Sequence, residues 1–324
     1  MTDDELSRIA RRYRTFAEVE AAEASPLYAE LAHAVAADEG MLRFLAGLPN
    51  PKRQPNLLFG AVQYLYGTPT GPAQLRAWVA RDPEQVDSVL RTRATQTNEA
   101  ARCAALVPLL SSIEGPLALI EVGASAGLCL YPDRYSYDYD GTAVGAPGPV
   151  HLTCTTTGAG PLPGRLPQVG ARIGVDLNPL DPADADDRAW LRALVWPGPY
   201  AEARLRRLEA ACEIARREPA LMLTGDLRER LPDALDRVPD GCTPVVFHTA
   251  VLAYLDRDER AAFAATVRAL PVRWIAQETP GVLPGTGYEP DDESWGEHFV
   301  LSLDGRPVAR TAPHGGRIEW LDGA

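Results

Sequence analysis

Three hydrophobic patterns divide the chain. Up to about residue 112, apolar residues recur at helical intervals between joints at Pro26, Pro49, Pro51, Pro55, Pro69, Pro72 and Pro83, as expected of helices that each bury one face. Ser25 before Pro26 predicts a capped helix start. Asp82, Pro83 and Gln85 predict another, whose helix runs to Leu110 with Cys103, Leu106, Val107 and Leu110 on its inner face. Further on, short continuous apolar runs end in polar or glycine-rich turns: LALIEVGASAG (117–127), ARIGVDLNPLD (171–181), LMLTGD (221–226), a run from Pro244 to His248, and VRWIAQE (272–278). Such runs read as buried parallel strands separated by helices. One of those helices starts at a capping box of Asp256 and Glu259 and turns Phe263, Val267 and Leu270 inward.

The third pattern is strand-like. Tyr131, Tyr135, Tyr137 and Tyr139 come close to alternating. Residues 141–170, of which 12 of 30 are Gly or Pro, exclude helix and read as an insertion carrying one or two short strands, such as 150–156. HFVLSLDGRPVART reads as a hairpin through Asp304-Gly305, and RIEWL as a last strand. The predicted organisation is α/β: an N-terminal helical region, 1–112, then a sheet domain, 113–324, with an insertion at about 132–170.

The stretch 117–127 organises the chemistry. Gly123 and Gly127 allow left-handed backbone angles and a close approach to a bound molecule, and Glu121 sits at the carboxyl end of its strand, where open α/β sheets hold ligands. A dinucleotide fingerprint fails because Ser125 and Leu128 stand where its later glycines belong. A nucleophile elbow fits as Gly123, Ser125 and Gly127, with Asp226 and His248 following in hydrolase order. The helical chain before it and Pro132 after it favour instead an acid followed by a glycine-rich nucleotide turn.

The other strand ends supply the remaining candidates. Asp176, backed by Asp181, is placed to accept hydrogen bonds from ribose hydroxyls; the alternative is that Asp176, Asn178 and Asp181 turn the chain into the next helix. Asp226 faces an adenine edge or else caps the helix after it. His248 is the first candidate base and Glu99 the second, although a single His on an apolar strand is more often a satisfied structural residue. Asn98, Gln277 and Glu278 are candidate substrate contacts. The TQTNE stretch, 95–99, is expected inside the long helix, reaching the ligand or forming a solvated face. Residues 279–297, with Tyr288 and Trp295, are long enough for a lid.

Composition narrows the partners. The 324 residues are 46% apolar and 23% charged, as in an ordinary globular protein, and a net charge of -12 argues against nucleic acid. Lys52 is the only lysine. Cys103, Cys129, Cys154, Cys212 and Cys242 show no metal-ligand spacing and read as free thiols of a reducing compartment, with no metal expected. No apolar run approaches the ~20 residues that span a bilayer, and the charged start lacks a signal-peptide core. A cytoplasmic protein with a small-molecule substrate and no membrane partner is expected.

EVGASAGLCLYPDRYSY, together with TNE, VDLNPLD, WLRALVWP and FHTAVLAYL, resembles a family of uncharacterised bacterial proteins catalogued as a domain of unknown function, over nearly the whole chain. In fold that family resembles Rossmann-like S-adenosylmethionine (SAM) methyltransferases, doubly wound sheets ending in an antiparallel hairpin. The resemblance implies SAM as cofactor, with Glu121, Gly123, Ser125 and Gly127 at its methionine end, Asp176 at the ribose and Asp226 at the adenine. It implies methylation of a small molecule; a module that binds such a ligand without turning it over is the non-catalytic alternative.

Overall fold

Proline opens four of the first six helices, where its fixed φ suits a first turn and its missing N–H costs nothing. The helices are α1 (Asp3–Thr15), α2 (Pro26–Ala37), α3 (Glu39–Ala46), α4 (Pro55–Tyr66), α5 (Pro72–Arg81) and α6 (Pro83–Thr92). Ser25 caps α2, accepting from the Tyr28 N–H at 3.3 Å. The computed structural model of the chain describes residues 3–96, 98–288 and 298–322. Thr97 of the TQTNE stretch and Trp295 of the expected lid lie outside the described residues.

The single helix expected from Pro83 to Leu110 is two. α6 stops at Thr92, Arg93 leaves the helical region (φ -93°, ψ 160°), and α7 (Cys103–Ser112) begins after an extended link and a 3-10 turn at Ala100–Arg102. Tertiary pairing overrides local periodicity here: Arg93 binds Asp187 at 2.8 Å and also pairs with Asp186. Asp82 caps nothing, because its carboxylate takes the Tyr66 hydroxyl at 3.2 Å and Arg81 at 2.7 Å.

The strands then alternate with helices: β1 (Leu117–Val122), β2 (Ser136–Tyr139), β3 (Thr142–Val144), β4 (His151–Thr157), β5 (Val169–Asp176), α8 (Ala185–Ala193), α9 (Ala201–Arg217), β6 (Leu221–Thr224), α10 (Leu227–Leu235), β7 (Thr243–Thr249), α11 (Arg257–Ala269), β8 (Arg273–Glu278), β9 (Phe299–Leu303), β10 (Arg306–Thr311) and β11 (Arg317–Trp320). The chain is thus a mixed α/β fold with an N-terminal helical region and a C-terminal region of antiparallel strands. It divides into two units, residues 1–97 with 184–208 and residues 98–183 with 209–324. The first unit is helical, and α7 and all the strands belong to the second.

Among the described residues eleven strands form one sheet in the order β3-β2-β4-β11-β10-β9-β8-β7-β1-β5-β6. The five from β6 to β8 are parallel. β9, β10 and β11 form an antiparallel meander whose first turn, Asp304-Gly305, has φ of 52° and 83°, as a two-residue hairpin requires. The Tyr-rich insertion prolongs this sheet: β4 runs parallel to β11, and β2 joins β4 to β3. Its buried tyrosines donate to main-chain carbonyls, Tyr135 to Leu128 at 2.6 Å and Tyr139 to Ala104 at 2.8 Å.

Ile120, Val122, Ile173, Val175, Val246, Trp274 and Ala276 pack one sheet face against Leu231 and Ala234 of α10 and Phe263, Ala264 and Val267 of α11. The two-residue side-chain period sends Glu121, Gly174, Thr249 and Gln277 to the opposite face. No helix among the described residues is long and apolar enough to cross a membrane.

Candidate functional site

Between β1 and the 3-10 turn at Leu128–Leu130 the chain makes a tight loop with positive φ at Gly123 (71°), Ser125 (53°) and Gly127 (68°). The loop is tied down by its own neighbourhood. Gly123 and Ala124 donate to the Val175 carbonyl at 2.8 and 3.1 Å, Gly127 donates to Ala124 at 2.7 Å, and the Ser125 carbonyl accepts from Leu180 at 3.1 Å. Asp176 Oδ2 accepts the Ser125 N–H at 2.8 Å while Oδ1 takes that of Asn178 at 2.8 Å. Asn98 Oδ1 accepts the Leu128 N–H at 2.7 Å. Asn98 therefore reaches the glycine loop from outside α6 and α7 instead of from a helix face.

The glycines are occupied by protein. A Cβ on Gly123 would lie 2.4 Å from Val251 Cγ2, and one on Gly127 would lie 3.1 Å from Leu130 and 3.5 Å from the Met222 sulfur. In the Cβ direction, then, side chains of the chain itself pack on the bare backbone of both residues. Close packing of Val251, Leu130 and Met222 is therefore one reason for glycine at these two positions.

Glu121 lies beneath the loop with 2% of its surface exposed, and its Oε2 has no hydrogen-bond partner. Burial pushes its carboxyl well above the usual carboxylate range; Cys129 and Asp176 add to this and Arg102 opposes it. Arg102 is 7% exposed. Its Nη1 donates to the carbonyl and hydroxyl of Thr249, both at 3.1 Å, and its Nε donates to the Pro313 carbonyl at 3.1 Å. Gln277 gives one end of its amide to the Thr311 hydroxyl at 2.8 Å, and the other end, Oε1, is buried without a partner. Sequence reasoning missed Arg102, although a lone Arg among the small apolar residues AARCAAL is the signal that marks it.

The remaining candidates fall elsewhere. Glu99 Oε1 accepts the Ala101 N–H at 3.1 Å and so caps the 3-10 turn that presents Arg102. Asp226 caps α10 and binds Arg228 at 2.7 Å, which holds its carboxyl below the usual range; of the two roles expected for it, this is the capping one. His248 is fully buried on the α10 and α11 face. Because an indole N–H only donates, His248 Nε2 accepts from Trp274 at 3.1 Å, and Nδ1 carries the proton given to Glu278 Oε1 at 2.7 Å. The same Glu278 oxygen takes the N–H groups of Val251 at 2.9 Å and Leu252 at 3.1 Å. His248 and Glu278 thus fix the turn that carries Val251 onto Gly123, and neither ring nitrogen is left for Ser125 or a substrate.

A family model described as an uncharacterized protein conserved in bacteria, DUF2332, matches residues 10–320. The chain belongs to that family. The DUF2332 match covers the glycine loop, Arg102 and every strand of the sheet. No curated protein and no solved structure matches the chain.

Proposed function

We propose that the second unit binds SAM at the carboxyl ends of its parallel strands and transfers the methyl group to a small-molecule acceptor. Numbered by appearance, the five parallel strands lie in the order 3-2-1-4-5, that of doubly wound nucleotide-binding sheets. The chain reverses between β1 and β7, the place where such sheets take ligands.

The observation that carries this proposal is Glu121, buried at that point with Oε2 unpartnered. A buried acceptor without a donor costs about 1–3 kcal/mol, and the ammonium of the cofactor's methionine end is a donor of the right charge. Asp176 stands at the exit of the adjoining strand, and next to it Leu177 is 73% exposed, an apolar surface suited to a base. When bound, the sulfonium supplies an electrophilic methyl. The chain's own part is to hold the acceptor in line with it and to exclude water. With Glu99 and His248 committed to the backbone and to Glu278, neither is put forward as a base.

Thermal shift with S-adenosylhomocysteine tests this. At 100 times its dissociation constant it should stabilise the chain by about 2.7 kcal/mol, and Glu121→Leu should abolish the effect. A folded wild-type protein that shows no shift refutes the proposal.

A further inference from the structure

The first unit carries a cavity of about 310 Å³ lined by Glu5, Arg8, Ile9, Arg12, Asn50 and Arg53. That volume is at the small end of the range found for small-molecule sites. Residues 5, 8, 9 and 12 stand at i, i+3, i+4 and i+7 of α1 and so share one face of the helix. Asn50 and Arg53 come from the 3-10 turn at Asn50–Lys52 and the residue that follows it.

The three guanidinium groups differ in what already holds them. Arg53 is committed to the protein: Nη1 donates to Glu5 Oε1 at 2.8 Å, and Nε and Nη2 donate to the carbonyls of Leu48 at 2.7 Å and Ala46 at 2.9 Å. It fixes one wall and neutralises the carboxylate of the lining. Arg8 reaches Asp4 at 3.3 Å, and with side chains 64% and 74% exposed that pair is screened by water and weak. Arg12 is exposed and makes no hydrogen bond or ion pair among the described residues. Arg8 and Arg12 lie one helical turn apart, where like charges repel. In a chain with 44 acidic residues to 32 basic ones, the cavity thus keeps two neighbouring cations with no carboxylate inside it left to bind them.

We propose that this cavity binds a small phosphomonoester, its phosphate held by Arg8 and Arg12. Near neutral pH such a group approaches a dianion and presents three acceptor oxygens, enough for both guanidinium forks, whereas a carboxylate matches one. The Asn50 amide both donates and accepts, and Ile9 is apolar, so the organic part meets a surface suited to a hydroxyl-bearing carbon skeleton. The site lies within the first unit and does not depend on the cofactor proposed for the second.

The probe is glucose 6-phosphate, titrated into the full chain by calorimetry at two temperatures, so that a binding enthalpy near zero at one of them cannot hide the interaction. The expected result is one site with a dissociation constant of about 1 mM or tighter. Arg12→Gln and Arg8→Gln should each weaken binding about tenfold or more, the loss of a charge-assisted hydrogen bond. Both side chains are exposed, so these variants should unfold at the wild-type denaturant midpoint. Arg11→Gln removes an exposed charge of the same helix that is not part of the lining and should change the affinity by less than about twofold. Inorganic phosphate should bind several-fold more weakly than the sugar phosphate, and glucose should not bind. Absence of glucose 6-phosphate binding to the wild type, a loss in Arg11→Gln equal to that in Arg12→Gln, or equal affinity for inorganic phosphate or for glucose overturns the site.

Discussion

Replacing Glu121 by leucine should make the protein more stable while abolishing the proposed binding of S-adenosylhomocysteine. The side chain is 2% exposed and Oε2 has no donor, so an apolar residue of similar volume relieves a penalty of about 1–3 kcal/mol. The gain depends on pH. Burial raises the folded-state pKa of Glu121 above the ordinary carboxylate value, so in the window between about 4.3 and that raised value the folded chain holds more protons than the unfolded one. Wild-type stability from this group is therefore fully present below the window and is lost as pH rises through it. The variant lacks that slope, so its advantage should be small near pH 4 and largest at neutral pH, with each tenfold displacement of the acid constant worth about 1.4 kcal/mol. Urea unfolding at a series of pH values measures this. A variant less stable than wild type at pH 7 would show that attraction to Arg102 outweighs burial, and would refute the claim that Glu121 is an acceptor waiting for a ligand.

Gly123→Ala combines a positive φ with a contact at 2.4 Å to Val251 and should cost about 2–4 kcal/mol; Val251→Ala in the same chain should recover part of it, whereas simple additivity of the two would be inconsistent with the observed packing. His248→Ala leaves Glu278 buried without its ring partner and should destabilise by about 3–5 kcal/mol, measured by equilibrium unfolding; a change under 1 kcal/mol would separate the residue from the structural role described. Arg172→Met removes the two-pronged contact with Asp133, at 2.8 and 2.9 Å; Asp133 keeps Arg134 at 2.9 Å, so the cost should be about 1–3 kcal/mol. A fluorophosphonate probe should not label Ser125, because that residue is 4% exposed and His248 is engaged elsewhere; labelling lost in Ser125→Ala would restore the hydrolase alternative.

Local chemistry determined much of the chain by itself. Proline positions, the Asp256 and Glu259 capping box, the Asp304-Gly305 hairpin and the five apolar runs each act within a few residues, and each appears in the structure where the sequence puts it. Glu121 at a strand's carboxyl end was equally legible.

Tertiary structure decided what those residues meet. Whether Gly123 makes room for a ligand or for Val251 depends on a turn more than a hundred residues away, itself held by Glu278. The break at Arg93 depends on Asp186 and Asp187, and the pairing of Thr249 with Gln277 beneath Arg102 depends on strand register. Periodicity and capping report the backbone's nearest neighbours, but a buried charge is given its role by groups that only the folded sheet brings beside it.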